Sequence, residues 1–92
     1  MMYLFMQLED KTEIVHSHIM NTDHGEIVKV YIERPIMGGF MSAACYLPEY
    51  RWEDIDGFNE DDINKYQELL ESTAHLIIRF AKQGGLGNAA SI

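Results

Sequence analysis

An amphipathic segment at residues 59 to 83 is the feature that most constrains how this chain can fold. Apolar side chains recur in it at steps of three and four, the period of one face of an α-helix. The positions of this stripe are Ile63, Tyr66, Leu70, Thr73, Ile77 and Phe80, widened by Leu69, Ala74 and Ala81. A helix of this length must bury its stripe against another apolar surface, so the rest of the chain has to supply one.

The sequence also marks both ends of this helix. Asn59 is a favourable N-cap, and the acids at 60 to 62 suit the positive end of the helix dipole. Gly84 follows a basic last turn and can adopt the left-handed conformation that ends many helices. We therefore predict a helix over residues 59 to 83.

Four segments upstream of this helix alternate apolar and polar residues with a period of two, which is typical of half-buried β-strands. They span residues 2 to 8, 12 to 20, 26 to 33 and 39 to 47. The connectors between them are short, and short connectors favour antiparallel pairing of sequential strands. The predicted fold class is α+β, a four-stranded antiparallel meander sheet with one long C-terminal helix packed on one face (ββββα).

The length of the chain fits one domain. Chains divide into several domains only well above roughly 200 residues, and this chain has 92. We expect residues 1 to 84 to form a single α+β domain and residues 85 to 92 to be a flexible C-terminal tail. No segment has the pattern of a signal peptide or the ~18 apolar residues of a membrane span, so we expect a soluble, cytoplasmic protein without membrane association.

Acidic residues dominate the charge of the chain. Its 15 acids and 7 bases give a net charge of −8, which disfavours direct binding to nucleic-acid phosphates. The stretch from 49 to 62 contains seven of these acids and a single base, Arg51. The acids at 60 to 62 are explained by the helix start, which leaves the four acids before them without a structural role.

These four acids surround two aromatic residues. An acidic rim around an aromatic centre is typical of surfaces that bind basic proteins. We therefore predict a partner-binding site formed by Glu49, Tyr50, Trp52, Glu53, Asp54 and Asp56. The simpler alternative is a solvated acidic loop.

One helix can cover only one face of the predicted sheet. The second face would then carry more apolar and aromatic area than a small monomer usually exposes. The side chains that could populate it are Tyr3, Phe5, Val15 or Ile14, Tyr31, Phe40 and Tyr46. We expect a homodimer or another protein partner to bury this face, although isolated aromatic residues on a surface are also common.

Two histidines on the second predicted strand have the spacing of a metal-binding pair. His16 and His18 are two residues apart, so their side chains would point to the same side of a strand and could bind one ion. A third ligand cannot be located from the sequence, and two solvated histidines are the simpler interpretation. No other feature predicts a cofactor.

No catalytic constellation is recognisable in the sequence. Cys45 lies among apolar strand residues, and no adjacent basic residue would activate its thiol. The glycines at 84 to 87 follow a helix instead of preceding one, so they do not form a phosphate-binding loop. We therefore predict that the protein is not an enzyme.

A segment with a Gly-Gly-aromatic turn lies in the middle of the chain. Residues 31 to 48 read YIERPIMGGFMSAACYLP, and an acidic helix start follows about ten residues later. This arrangement resembles HicB-type antitoxins, in which a strand, a Gly-Gly-aromatic turn, a second strand ending near Leu-Pro, a loop and an amphipathic helix form a small domain. The resemblance covers residues 31 to 80, with EYRW at 49 to 52 in place of the family's Pro-Gly-Cys and Gly-Asp-Thr elements. It implies a protein that binds and occludes a small basic ribonuclease toxin.

These features favour a small, acidic, non-enzymatic module that binds a basic protein and forms a homodimer. A HicB-like antitoxin, or a phage-type inhibitor that mimics nucleic-acid charge, is an alternative of the same class. A metal-binding protein that uses His16 and His18 is an alternative of a different class.

Overall fold

The structure is a computed structural model that describes residues 2–84 of the chain. In chain order its elements are β1 (Tyr3–Gln7), β2 (Glu13–His16), β3 (Met20–Thr22), β4 (Gly25–Ile36), β5 (Gly39–Leu47), β6 (Arg51–Asp56) and the helix α1 (Glu60–Gln83). All strand pairs are antiparallel. The tail predicted at 85–92 lies outside the described residues.

The strands form one sheet in the order β1, β2, β4, β5, β6, with β3 also paired to β4. β4 is the longest strand, and it pairs with β2 along its middle, at residues 30–33, and with β3 along its N-terminal end. The segment from β2 to β3 therefore acts as one interrupted strand beside β4. This arrangement confirms the predicted α+β class, an antiparallel sheet with a single C-terminal helix packed on it.

The prediction of a four-stranded sheet is wrong in strand number, because the sheet also contains β6 and the separate short strand β3. β6 lies in the acidic stretch before the helix, where the sequence predicted no strand. Its pairing with β5 shifts register between Ser42 and Ala44, and Asp54 has a positive φ of 54°. This bulge breaks the period-two alternation by which a strand is recognised in a sequence.

A serine interrupts the second predicted strand and separates β2 from β3. The backbone N–H of Lys29 donates to Oγ of Ser17 at 3.0 Å, and that Oγ donates to the carbonyl of His18 at 2.7 Å. The hydroxyl takes a place in the ladder that a backbone carbonyl would otherwise occupy. Regular pairing with β4 resumes only at Met20–Thr22.

α1 packs on the sheet face that contains the apolar row predicted for β4. Val28, Val30 and Ile32 are buried in this row, and Ile32 lies between Ile14 of β2 and Ala43 of β5. The helix contributes Tyr66, Leu70, Ile77 and Ala81 to the same core. The predicted amphipathic stripe is thereby removed from water, which is the main favourable contribution to folding in a domain of this size.

Both predicted ends of the helix are confirmed. Oδ1 of Asn59 accepts from the backbone N–H of Asp62 at 2.8 Å, and Oδ2 of Asp62 accepts from the backbone N–H of Asn59 at 3.1 Å. Gly84 ends the helix in the left-handed conformation, with φ 82°. These local bonds satisfy backbone groups that a helix end leaves unpaired. Within residues 2–84, no helix is both long and apolar enough to cross a lipid bilayer.

A bulge in β1 changes which of its side chains face α1. The register with β2 shifts between Leu4 and Met6, and Phe5 and Met6 both pack against the core. Tyr3 is paired with His16, which is fully buried on the helix side of the sheet. The expectation that Tyr3 and Phe5 lie on the second face is therefore wrong, because the inserted residue disrupts the alternation.

Candidate functional site

The acids predicted to bind a partner lie on β6 and in the turn that precedes it. Among residues 2–84, β6 pairs only with β5, so its other edge is open at one side of this sheet. Glu53, Asp54 and Asp56 are exposed, as is Glu49 in the preceding turn. The structure brings the four acids together along one sheet edge, and we refer to these four residues as the acidic edge.

Arg51 partly neutralises the acidic edge. Its Nε lies 2.7 Å from Oε2 of Glu53, and its Nη1 lies 3.5 Å from Oε2 of Glu49. All three side chains are about half exposed, so these ion pairs add little stability and are screened by salt. Among the described residues, Asp54 and Asp56 form no ion pair. The acidic edge therefore keeps a net negative charge that a cationic partner can reach.

The two aromatic residues of the predicted site are half-buried against the core. Trp52 is paired with the buried Cys45, and its Nε1 donates to Oε1 of Gln67 on α1 at 2.8 Å. Gln67 in turn donates to Oε2 of Glu71 at 3.1 Å. Tyr50 also packs against the core. The two rings attach β6 to the sheet and helix, and the acids form the more exposed part of the predicted site.

Tyr50 occupies a special position in the turn before β6. Its backbone is left-handed, with φ 58°. Burial, followed by the nearby carboxylate of Glu71, raises the pKa of Tyr50 above its usual 10.0. The hydroxyl is therefore neutral at physiological pH and able to donate as well as accept a hydrogen bond.

The open edge of β6 is poorly suited to pairing with a further strand. Asp54 lies in the bulge, and bulges bend a strand and disturb its hydrogen-bonding edge. Four of the six residues in Arg51–Asp56 are charged. Both features are devices by which proteins discourage edge-to-edge pairing. A partner at this surface would therefore contact the side chains of the acidic edge instead of extending the sheet.

The two histidines of the predicted metal site lie in different environments. His16 is fully buried, and its Nδ1 donates to the carbonyl of Ser17 at 2.9 Å, while its Nε2 has no hydrogen-bond partner. His18 is exposed, and its Nε2 is 2.6 Å from the hydroxyl of Tyr3. Both imidazoles contact the Tyr3 ring, at centroid distances of 5.7 Å and 4.9 Å. Over residues 2–84, no group of three or more His, Cys, Asp and Glu side chains is placed to hold a metal ion.

Sequence reasoning missed a polar cluster centred on Arg34. Arg34 has the same parity on β4 as the buried Val30 and Ile32, so a charged residue continues an apolar row. That mismatch is the signal that could have identified it, since a charge on the core side of a strand is retained only with partners.

The guanidinium of Arg34 joins three parts of the chain. Its Nε lies 3.2 Å from Oγ1 of Thr12 and 3.2 Å from Oδ2 of Asp10, both in the connection from β1 to β2. It also donates to the hydroxyl of Tyr66 on α1, and its Cζ lies 5.2 Å from the centre of the Phe58 ring. The cluster therefore links the β1–β2 connection, β4 and the first half of α1.

A cavity of about 260 Å³ opens beside this cluster. It is lined by Leu8, Asp10, Arg34, Asp62, Lys65, Tyr66 and Leu69. The cavity is smaller than most ligand sites, and the hydrogen bonds of Arg34 are made within the chain. The charged groups here serve the fold by connecting its elements.

The thiol of Cys45 is not poised for chemistry. The residue is fully buried in the core, and burial raises the pKa of Cys45 to about 12. A thiol with this pKa has almost no thiolate at neutral pH, and the thiolate is the nucleophile and the metal ligand.

Comparison with known proteins identified no relative of this chain. The chain matches no protein-family model, no curated protein and no solved structure. A function therefore has to be inferred from the geometry and charge of the described residues and from the sequence itself.

Proposed function

We propose that the chain is a small, acidic, non-enzymatic protein-binding module whose acidic edge contacts a basic protein. The observation that carries this proposal is the exposure of Glu53, Asp54 and Asp56 along a strand with one open edge, where Arg51 pairs with Glu53. Complementary charge accelerates encounter and selects partners more than it adds raw affinity. The module would thus recognise its partner by charge and hold it by contacts around the edge.

The start of α1 extends this negative surface. Glu60 and Asp61 are exposed in the first turn of the helix, a few residues after Asp56. Asp62 is engaged in the helix cap and is only partly accessible. A basic partner would therefore meet negative charge along β6 and across the connection to α1.

The resemblance to HicB-type antitoxins supports a narrower version, in which the basic partner is a small ribonuclease toxin. β4, the turn with Gly38 and Gly39, β5 and α1 follow in the order that the resemblance implies, and β6 stands where it implies a loop. An inhibitor of phage type that mimics the charge of a nucleic acid belongs to the same class. In each version the partner presents a basic surface to the acidic edge.

Neutralising the acidic edge tests the proposal. We expect the variant Glu53→Gln/Asp54→Asn/Asp56→Asn to lose the protein that the wild-type chain captures from an extract of its host, with weaker salt dependence of any residual binding. Asn suits position 54, where φ is 54°, because it tolerates the left-handed region. Mass spectrometry identifies the captured protein, and surface plasmon resonance with that purified protein measures the affinity.

An equal change in charge elsewhere is the control. The variant Glu9→Gln/Asp23→Asn/Glu68→Gln removes three exposed acids away from β6 and should bind as the wild type does. If the acidic-edge variant binds as tightly as this control, the acidic edge is not the binding surface. Capture of an acidic protein would contradict the proposed partner chemistry.

We further propose that the module is a homodimer. The sheet face opposite α1, which we refer to as the open face, carries Leu4 and Phe40 with exposed fractions of 50% and 59%. Side chains of this size are rarely left in water on a small domain as part of a continuous face. Their burial between two copies would be favourable for the same reason that drives core formation.

A further inference from the structure

The open face of β4 carries charges of opposite sign on either side of its centre. Its side chains alternate with the buried row of Val28, Val30 and Ile32. In order, the side chains on the open face of β4 are Ile27, Lys29, Tyr31, Glu33 and Pro35. Tyr31 is therefore flanked by a base two residues before it and an acid two residues after it. β4 is also the third of five positions across the sheet, so Tyr31 lies near the middle of the whole face.

The neighbouring strands repeat this pattern across the open face. The basic row contains Lys29, Tyr46 and Arg51. The acidic row contains Glu13, Glu33, Ser42 and Asp56. Between them, the middle row contains Leu4, Val15, Tyr31, Ala44 and, at its β6 end, Glu53, whose carboxylate is paired with Arg51. The open face therefore carries Lys29 on one side of the middle row and the carboxylates of Glu13, Glu33 and Asp56 on the other, at a spacing of about 7 Å between rows.

We infer that a second copy of this chain covers the open face, related by a two-fold axis that runs across the strands along the middle row. This operation exchanges the two sides of the middle row. Lys29 then faces the partner subunit's Glu33, and Glu33 faces the partner subunit's Lys29. Tyr31 meets the partner subunit's Tyr31 on the axis, so the face is complementary to itself.

The charges also reject the other way of stacking two copies face to face. A two-fold axis parallel to the strands would place Lys29 against the partner subunit's Lys29 and Glu33 against the partner subunit's Glu33. Like charges held together in an interface are costly. Stacked sheets pack about 10 Å apart with their strands within about 30° of alignment. An angle of this size between the two sheets displaces the contacts on β4 least, because these contacts lie nearest the axis.

The acidic row is concave where it would receive the partner's lysine. A cavity of about 340 Å³ on the open face is lined by Gln7, Lys11, Glu13, Glu33, Pro35 and Phe40. It offers two carboxylates against one base, Lys11, beside two apolar side chains, so a net negative charge and an apolar wall meet the charged end and the aliphatic stem of a lysine. The partner subunit's Lys29 is directed at this cavity by the proposed axis, with the partner subunit's Ile27 beside Pro35.

Lys29 and Glu33 are available for such pairing. Within residues 2–84 neither forms an ion pair, and Nζ of Lys29 lies 5.9 Å from the centre of the Tyr31 ring. Both side chains are half-buried along the sheet, so less conformational freedom remains to be lost on association than for fully exposed chains. The interface would combine the apolar residues of the middle row with two symmetric ion pairs.

Exchange of these two charges tests the inference by sedimentation velocity. We expect Lys29→Glu and Glu33→Lys each to raise the dimer dissociation constant by roughly 10- to 100-fold, because each variant replaces two attractive contacts with two repulsive ones. Mixing the two variants should restore a dimer as a heterodimer, since every contact between them is attractive. The double variant Lys29→Glu/Glu33→Lys should dimerise as the wild type does.

The mixing experiment separates a lost contact from a damaged fold. A misfolded variant would not recover by mixing, and circular dichroism of each variant checks the fold directly. Arg79→Glu, which makes the same charge change on the exposed side of α1, should leave the dissociation constant unchanged. Lys29→Glu and Glu33→Lys single variants that dimerise like the wild type, or that fail to pair with each other on mixing, would overturn the inferred axis.

The inference rests on the homodimer of the proposed function and is independent of the basic partner. A wild-type chain that stays monomeric at high concentration overturns both the homodimer and the axis. A wild-type dimer that is insensitive to both charge changes overturns the axis alone. Glu53 and Asp56 belong to the acidic edge and also lie on the open face, so binding of the basic partner is measured separately, with the charge variants of β4 that leave both acids in place.

Discussion

At the scale of single residues, Gly57 is a position that cannot readily accept a side chain. Its φ of 95° lies in a region that L-residues rarely adopt, and it directly follows β6. A Cβ atom added there would lie 2.6 Å from Cγ of Met41. The backbone conformation and the close approach of β5 therefore both require glycine.

We expect Gly57→Ala to lower the free energy of unfolding by about 1–3 kcal/mol, through backbone strain and displacement of Met41. Gly39→Ala is the matched control, because its φ is not positive and no atom lies within 4 Å of the added Cβ. Urea denaturation followed by the fluorescence of Trp52, the single tryptophan, measures both variants. Equal losses of stability in the two variants would contradict this account of Gly57.

Cys45 is a second residue whose surroundings determine its chemistry. Burial raises the pKa of Cys45 from its usual 9.0 to about 12. When the pKa of an acid is higher in the folded chain than in the unfolded chain, the acid stabilises the folded state fully at pH values below its pKa in the unfolded chain. This stabilisation is lost as the pH rises through its pKa in the folded chain. For Cys45 this loss extends from about pH 9 to about pH 12, because the unfolded chain releases its proton first.

Between about pH 8 and about pH 10.5, we expect the free energy of unfolding of the wild type to fall by roughly 2 kcal/mol more than that of Cys45→Ala. Urea denaturation at the two pH values measures this difference, and the alanine variant removes contributions from other titrating groups. The same burial predicts that a thiol reagent reacts with Cys45 only when the chain unfolds. Rapid labelling of the folded chain would show that the thiol is accessible.

At the scale of elements, the cluster around Arg34 connects parts of the chain that are distant in sequence. The hydroxyl of Thr12 and then its backbone N–H, with a smaller effect from Arg34, hold the pKa of Asp10 below its usual 3.8. Asp10 is half exposed, so its contribution to stability is small. That contribution is present above about pH 4 and is lost as the pH falls through the lowered pKa.

We expect Arg34→Met to lower the free energy of unfolding by about 1–3 kcal/mol at neutral pH, because it removes charge-assisted hydrogen bonds to Thr12 and Tyr66. Methionine keeps most of the aliphatic volume, so the loss reports the polar contacts. Lys65→Met is the control, since Lys65 is an exposed cation that lines the same cavity. A loss of stability no greater than in the control would show that the cluster does not hold the elements together.

The elements differ in how well the sequence predicted them. α1 was predictable because its stripe and its caps at Asn59 and Gly84 act within a few residues along the chain. β6 was not, because its bulge at Asp54 depends on pairing with β5. The predicted acids of the site do gather along one edge, while the position of Trp52 against Gln67 depends on the packing of α1 on the sheet.

At the scale of the whole molecule, the two proposed surfaces meet at β6. The acidic edge lies at the β6 side and shares Glu53 and Asp56 with the open face, while the inferred axis passes over Tyr31 at the middle of that face. Two copies joined over the middle of the open face would each present an acidic edge at the rim of the interface. The homodimer would bind two basic partners or two sites on one partner, with the gain in effective concentration that bivalency gives.

We expect the thermal midpoint of unfolding to rise with protein concentration, because a dimer that dissociates on unfolding is stabilised by mass action. For two chains of this length, a hundredfold increase in concentration should raise the midpoint by about 5–10 °C. Differential scanning calorimetry across that range measures the shift. Lys29→Glu should show a smaller shift than the wild type, and a midpoint independent of concentration in the wild type would contradict the homodimer.

The sequence by itself determined the α+β class, the helix with both of its ends, the buried row of β4 and the concentration of acids before α1. These features depend on periodicity, capping and composition, which act locally along the chain. Only the tertiary structure decided the strand number, the side of β1 that carries Phe5, and the partners of Arg34. Bulges and buried polar contacts depend on which strand lies beside which, and that pairing joins residues far apart in sequence.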